Sequence, residues 1–190
     1  MAKSGIEIEG FSAHLAGMKR FVFIGLLVAA AVAGCRRNSS APPLGKAPAH
    51  QWPTHAQPKL PTIRLWPGAE ELSTEMATTA IEEETGMMFR TNLDEKAGMI
   101  FVFPYPQQAS FWMTNCPLPL AVAYIDPQGQ ILEIHELKAN DTNSVLAQSA
   151  DILFVLEVNQ GWFARHHITP GTIVRTEAGT LRETFFQRNQ

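Results

Sequence analysis

The chain has 190 residues, enough for one domain and a leader, and its 45% apolar and 17% charged residues are an ordinary globular balance. Its charge is divided: residues 1–61 hold seven Lys and Arg against two Asp and Glu, a balance of +5, whereas residues 62–190 hold eight against sixteen, a balance of −8. An acidic domain has no electrostatic footprint for a phosphate backbone, which argues against nucleic acid as a partner.

Lys19 and Arg20 precede an apolar run from Phe21 to Val32; the small residues Ala33 and Gly34 follow, and then Cys35. A basic stretch, a short apolar core and small residues before a cut are the layout of a secretory signal. The run is shorter than the roughly 20 residues a membrane-spanning helix needs. Val32–Ala33–Gly34–Cys35 also resembles the bacterial lipobox. That resemblance implies cleavage before Cys35, acylation of its thiol and usually of the freed amine, and anchoring by two or more chains. Met18 starts this layout better than Met1. Residues 1–17 therefore read as an upstream extension, 18–34 as a lipoprotein signal peptide, and 35–61 as the acylated Cys35 with a tether. Arg36 is not the Asp that retains many such lipoproteins at the inner membrane. The resemblance thus implies an exported protein anchored in the cell envelope, on the outer membrane facing the periplasm if the cell is Gram-negative.

The tether contains Pro42, Pro43, Pro48, Pro53, Pro58 and Pro61, a spacing that removes backbone donors and favours extended chain. His50, Trp52 and His55 lie in it and read as solvated linker side chains in preference to a metal-binding tract. The globular domain, residues 62–190, begins with a strand at Thr62–Trp66. Thr79–Ala80–Ile81–Glu82 fits a capping box that opens a short helix, with Glu82, Glu83 and Glu84 complementing its dipole. Met99–Phe103 is a buried-strand pattern that Pro104 and Pro106 are expected to end. Ala121–Ile125 and Ile131–Leu137 flank Asp126–Pro127–Gln128–Gly129, which has the residues of a type I turn and predicts a hairpin. Ile152–Val158 is a further strand, Trp162–His167 a short helical turn, Thr172–Thr176 a strand after Pro170–Gly171, and Leu181–Phe185 a last short strand. The order predicts an α+β domain, mainly antiparallel sheet, closed or partly closed as a small barrel, with one early helix and a short later helical turn.

The blocks Gly86–Arg90, Gly98–Phe103, Phe111–Asn115, Pro119–Leu120, Tyr124–Asp126, Val155–Glu157, Gly161 and Gly171 resemble the domain-of-unknown-function 192 family, in its order, across roughly residues 62–185. The resemblance implies a compact β-rich domain, often exported, and supplies no chemical activity. This chain departs from the family's pattern at Glu83, often Arg, at Cys116, usually Thr, and at Ala121, usually Asp. If that carboxylate matters to the family's activity, Ala121 puts the activity in doubt here.

The candidate ligand-binding residues are Arg90, Trp112, Met113, Asn115 and Glu157. In an extended stretch Phe111, Met113 and Asn115 share one face, and Trp112, Thr114 and Cys116 the other. Asn115 either faces a pocket, where its amide offers donor and acceptor, or braces the adjoining Pro-containing loop. Arg90 can clamp an anionic group or pair structurally with Glu157 or a helix-end carbonyl. Cys116, the domain's lone thiol, reads as a small buried residue. A nucleophilic role would need a base such as His135 and a lowered pKa. Glu133 and His135 read as a polar strand edge. His166–His167 lack zinc-ligand spacing, and no metal, cofactor or catalytic residue is assigned. The function expected is a non-enzymatic envelope lipoprotein, bound to the membrane through Cys35, whose domain binds a small ligand or an envelope protein. The alternatives are an envelope hydrolase or transferase with a site near Asn115, and a scaffold or assembly module.

Overall fold

The structure is a computed structural model that describes residues 51–187; the expected export signal, Cys35 and the expected tether as far as residue 50 lie outside the described residues. Ten strands and three short helices follow one another along the described residues. The strands are β1 (Thr62–Pro67), β2 (Leu72–Ala77), β3 (Ala97–Gln107), β4 (Ser110–Phe111), β5 (Leu120–Ile125), β6 (Ile131–Leu137), β7 (Val145–Leu146), β8 (Ile152–Asn159), β9 (Val174–Thr176) and β10 (Gly179–Thr180). Helix α1 (Ala80–Thr85) follows β2, α2 (Trp162–Arg165) follows β8, and α3 (Leu181–Phe186) closes the described chain.

Eight strands form one sheet in the order β10-β9-β1-β2-β3-β8-β5-β6, and β4 pairs with β7 apart from it. Six of the sheet's seven pairings are antiparallel, as expected for a mainly antiparallel α+β domain, but the sheet departs from the expected barrel in two respects. First, β2 and β3 run parallel. A parallel pair cannot be joined by a tight turn, so the chain crosses over through α1 and the loop to residue 96. Second, the sheet stays open. The turn before β6 reaches the start of β9 through a single bridge, Gln130 to Ile173. It can go no further, because β1 and β10 already occupy both edges of β9.

The β5–β6 hairpin forms around the expected turn. Gly129 N donates to Asp126 O at 3.0 Å, and Asp126 Oδ1 accepts from the amides of Gln128 and Gln130. β3 does not stop at Pro104: it passes through a register shift between Val102 and Gln107, where prolines that cannot donate to a ladder are tolerated. Leu181–Phe185 is helical, not a strand. Thr180 and Glu183 form a reciprocal capping box there, as Thr79 and Glu82 do at α1. β2 was not anticipated, since a buried Glu75 interrupts its apolar alternation.

Both faces of the central strands are covered, which is why β3, β5 and β8 read as continuous apolar runs. On one face Ile100, Ala123, Leu156 and Val158 pack under Trp162, Phe163 and Leu181. On the other, Met99, Phe101, Val122, Tyr124 and Val155 pack with Met87, Met113 and Cys116. The second face is covered by loops and α1, and there the cover is incomplete.

Candidate functional site

The gap in that cover is a cleft of about 440 Å³ between α1, the turn after it, the end of β3 and the Gln108–Met113 segment. Its walls include Phe101, Phe103, Phe111, Met87 and Met113. Gly86 has φ +45, and a Cβ there would come within 3.3 Å of the Phe101 ring, so glycine keeps this wall thin. Trp112, 40% exposed, and Trp52 stand at the rim with ring centroids 5.5 Å apart. Phe101 and Phe111 meet edge to face at 4.8 Å inside. Trp52 comes from the stretch read as solvated linker. That stretch also docks through Gln57, whose amide donates to Glu82 O and Gly86 O, and through Leu60 N, which donates to Glu75.

Glu157 belongs to the cleft's floor. Its register partners are Met99 on β3 and Val122 on β5, so its side chain lies on the loop-covered face between two apolar neighbours. It is 4% exposed, and its Oε2 is buried without a hydrogen-bond partner. Burial pushes its carboxyl up to about 8. Glu83 and Glu84 line the same cleft nearer the rim. Burial, and then the charge of Glu82, raise Glu83.

Cys116 also lines the cleft, 3% exposed, with its thiol 3.6 Å from Leu118 O. Burial, and secondarily the Glu157 charge, push the thiol up to about 11, so it is not a thiolate at neutral pH. His135 does not reach it. The His135 ring binds Glu133 at 2.9 Å, and Glu133 also accepts the amides of Gln148 and Ser149.

Of the sequence-derived candidates, the fold brings Trp112, Met113 and Glu157 to the cleft and leaves Arg90 and Asn115 off its walls. Arg90 pairs with Glu75, not with Glu157, through two contacts at 2.6 and 2.8 Å. Burial raises Glu75, but the Arg90 guanidinium and the Leu60 amide outweigh it and hold the carboxyl below its usual range. Asn115 is exposed at φ +59, and its carbonyl accepts the amide of Phe89, itself at φ +62, at 2.7 Å. Asn115 therefore braces one loop against another. Ala121 is fully buried on the opposite face. His166 stacks on Trp162 at 4.3 Å, with its ring nitrogens 3.1 Å from Glu70 and 3.5 Å from Glu95. Among the described residues, no group of three or more His, Cys, Asp or Glu could hold a metal ion.

Sequence reasoning missed Glu75, Trp52 and the two phenylalanines of β3 as parts of this region. Glu75 carried a signal, a carboxylate between Thr74 and Met76, but without the partner strand it read as loop. Trp52 carried none, since its role depends on a loop 60 residues away.

Comparisons with known proteins agree with this architecture. A family model described as "Uncharacterized ACR", DUF192, matches residues 64–176. A protein of unknown function from Novosphingobium aromaticivorans DSM 12444 has a similar crystal structure, with a TM-score of 0.59 and 31% identity over 67% of this chain and 94% of that one. A protein from Sinorhizobium meliloti 1021, described as a candidate transcription regulator, aligns with a TM-score of 0.57 and 27% identity over 60% of this chain and 92% of its own. No curated protein matches the chain.

Proposed function

This chain belongs to the DUF192 family, and because that family is uncharacterised we propose its function from the cleft: a small-ligand-binding domain of the bacterial cell envelope, held at the membrane by acylated Cys35. One observation carries the ligand reading. The aromatic cleft is lined by a buried glutamate, Glu157, whose Oε2 has no partner within the protein. A buried polar atom left unsatisfied costs about 1–3 kcal/mol. A strand of apolar residues would be more stable with an aliphatic side chain at that position. A ligand that supplies the missing hydrogen bond accounts for the carboxyl, and the surrounding rings account for the rest of the ligand's surface.

An enzymatic reading has less support. Cys116 and Glu157 share the cleft, but each is held toward its protonated form, so Glu157 is poorly placed to act as a base on the thiol. The envelope location rests on the signal and lipobox patterns upstream of residue 36.

Native mass spectrometry of the full chain, purified in detergent from its bacterial host, tests the ligand reading. The expected result is a retained small-molecule mass in the wild type that is lost in Glu157→Gln. A spectrum at the bare protein mass, together with silence in a fragment screen, overturns it. Incorporation of labelled palmitate that disappears in Cys35→Ala tests the anchor; no incorporation in the wild type removes it.

A further inference from the structure

We propose that the cleft takes an organic cation, a protonated amine on a short apolar chain, with its N–H donated to Glu157 and its charge faced by the aromatic walls. This rests on the small-ligand reading above and specifies the class of ligand. Four features of the cleft select it. Among the described residues its titratable lining consists of Glu83, Glu84, Glu157 and Cys116, with no Lys, Arg or His side chain. Five aromatic rings line it, those of Trp52, Phe101, Phe103, Phe111 and Trp112. Aromatic faces attract cations within about 6 Å, most strongly where water is displaced. The Met87, Met88 and Met113 side chains add polarizable, deformable surface that suits an alkyl chain. Finally, Glu157 is 96% buried by its 4% exposure, with Oε2 unpartnered, and it can only accept once ionised. An anion would meet three carboxyl groups and no cation. A neutral apolar ligand would leave Oε2 unsatisfied.

Binding also moves a proton. In the empty cleft the Glu157 carboxyl is protonated over most of the neutral range. A bound ammonium stabilises the carboxylate, so the carboxyl proton is released to solvent as the cation enters. The groups facing Glu157 from the packed elements are Cys116, from the loop after β4, and Tyr124 on β5, both held neutral by burial. Glu83 and Glu84 on α1 line the cleft beyond them. None supplies a positive charge that would already ionise Glu157.

The test is calorimetric titration of the full chain in detergent with three probes of one size: pentylammonium, 1-pentanol and pentanoate. Pentylammonium is expected to bind at least about tenfold more tightly than pentanol. Its affinity should fall by up to about tenfold per pH unit as the pH drops below 8 and release a proton on binding at pH 7. Pentanoate should not bind. In Glu157→Gln the preference for ammonium over alcohol should shrink to less than about threefold, and the pH dependence should vanish. Pentanol binding as tightly as pentylammonium overturns the cation assignment while leaving a small-ligand cleft in place. Binding of none of the three also overturns it, and only an additional empty native mass spectrum takes the ligand reading with it. Equal behaviour of Glu157→Gln and wild type, with the variant folded by circular dichroism, removes Glu157 from recognition.

Discussion

Two buried glutamates lie in one cross-strand row, separated only by Met99, and the fold treats them in opposite ways. Glu75, at the β2 end, is clamped by Arg90 and by the Leu60 amide, which together hold it ionised. Glu157, in the middle of β8, has apolar register partners on both sides and an unpartnered oxygen, and is held protonated. The first is a structural ion pair that fastens the incoming chain to the sheet. The second has an oxygen with no partner in return for its burial, which is the feature the proposed ligand accounts for.

Breaking the clamp gives the largest expected effect. Arg90→Ala leaves Glu75 buried and uncompensated and is expected to destabilise the protein by about 3 kcal/mol, read as a lowered urea midpoint with an unchanged slope. Glu157→Leu should do the reverse, raising stability by about 1–2 kcal/mol in the absence of ligand, because an unsatisfied oxygen is replaced by an aliphatic group. A loss of stability in Glu157→Leu would show that Glu157 has a structural role like that of Glu75.

The pH dependence separates the two further. Glu157 is raised from 4.5 to about 8 in the folded state, so its contribution is fully present below pH 4.5 and is lost as the pH rises toward 8. Glu75 is lowered, so its contribution is present above the ordinary carboxylate range and is lost as the pH falls below it. Unfolding free energies from pH 3 to pH 9 should therefore decline at both ends. Glu157→Gln should flatten only the decline between pH 4.5 and about 8, by up to about 1.4 kcal/mol per pH unit, and Glu75→Gln only the decline on the acid side of pH 4.5. The same limb flattening in both variants would merge the two sites into one electrostatic unit. The smallest effect is expected at the wall. Gly86→Ala, strained by its positive φ and by the Phe101 ring, should cost about 1 kcal/mol and weaken ligand binding without changing the pH profile.

Much of the fold was legible where a local rule and the tertiary outcome agreed. The Asp126–Gly129 turn and the Thr79–Glu82 capping box each specify their geometry within four residues. Leu181–Phe185 was legible too, since Thr180 and Glu183 repeat the same capping signal, but its Phe-rich composition resembled a strand. What local rules could not provide was pairing. Nothing between Leu72 and Ala77 tells that this segment lies parallel to β3, and without that partner Glu75 and Arg90 cannot be matched. At the site, Glu157 stood out as the one acid in an apolar strand, and Trp112 and Met113 as bulky residues on both faces of one stretch. Asn115 stood open between pocket and brace because an exposed left-handed residue in a tight loop has the same composition as a pocket residue. The cleft itself is assembled from segments more than a hundred residues apart, from Trp52 to Glu157, and has no sequence signature of its own.

The pairing of β1 with β9 has a kinetic consequence. The outer edge of the first strand finds its partner only when residues 174–176 have been synthesised. β3 likewise waits for residues 152–159. Until then any pairing among β1, β2 and β3 leaves two open edges, the kind of surface that pairs with other chains. Contacts this distant in sequence are slow to form. The nascent chain therefore has little native structure to undo before its last third emerges, and the floor of the cleft is among the last parts of the molecule to exist.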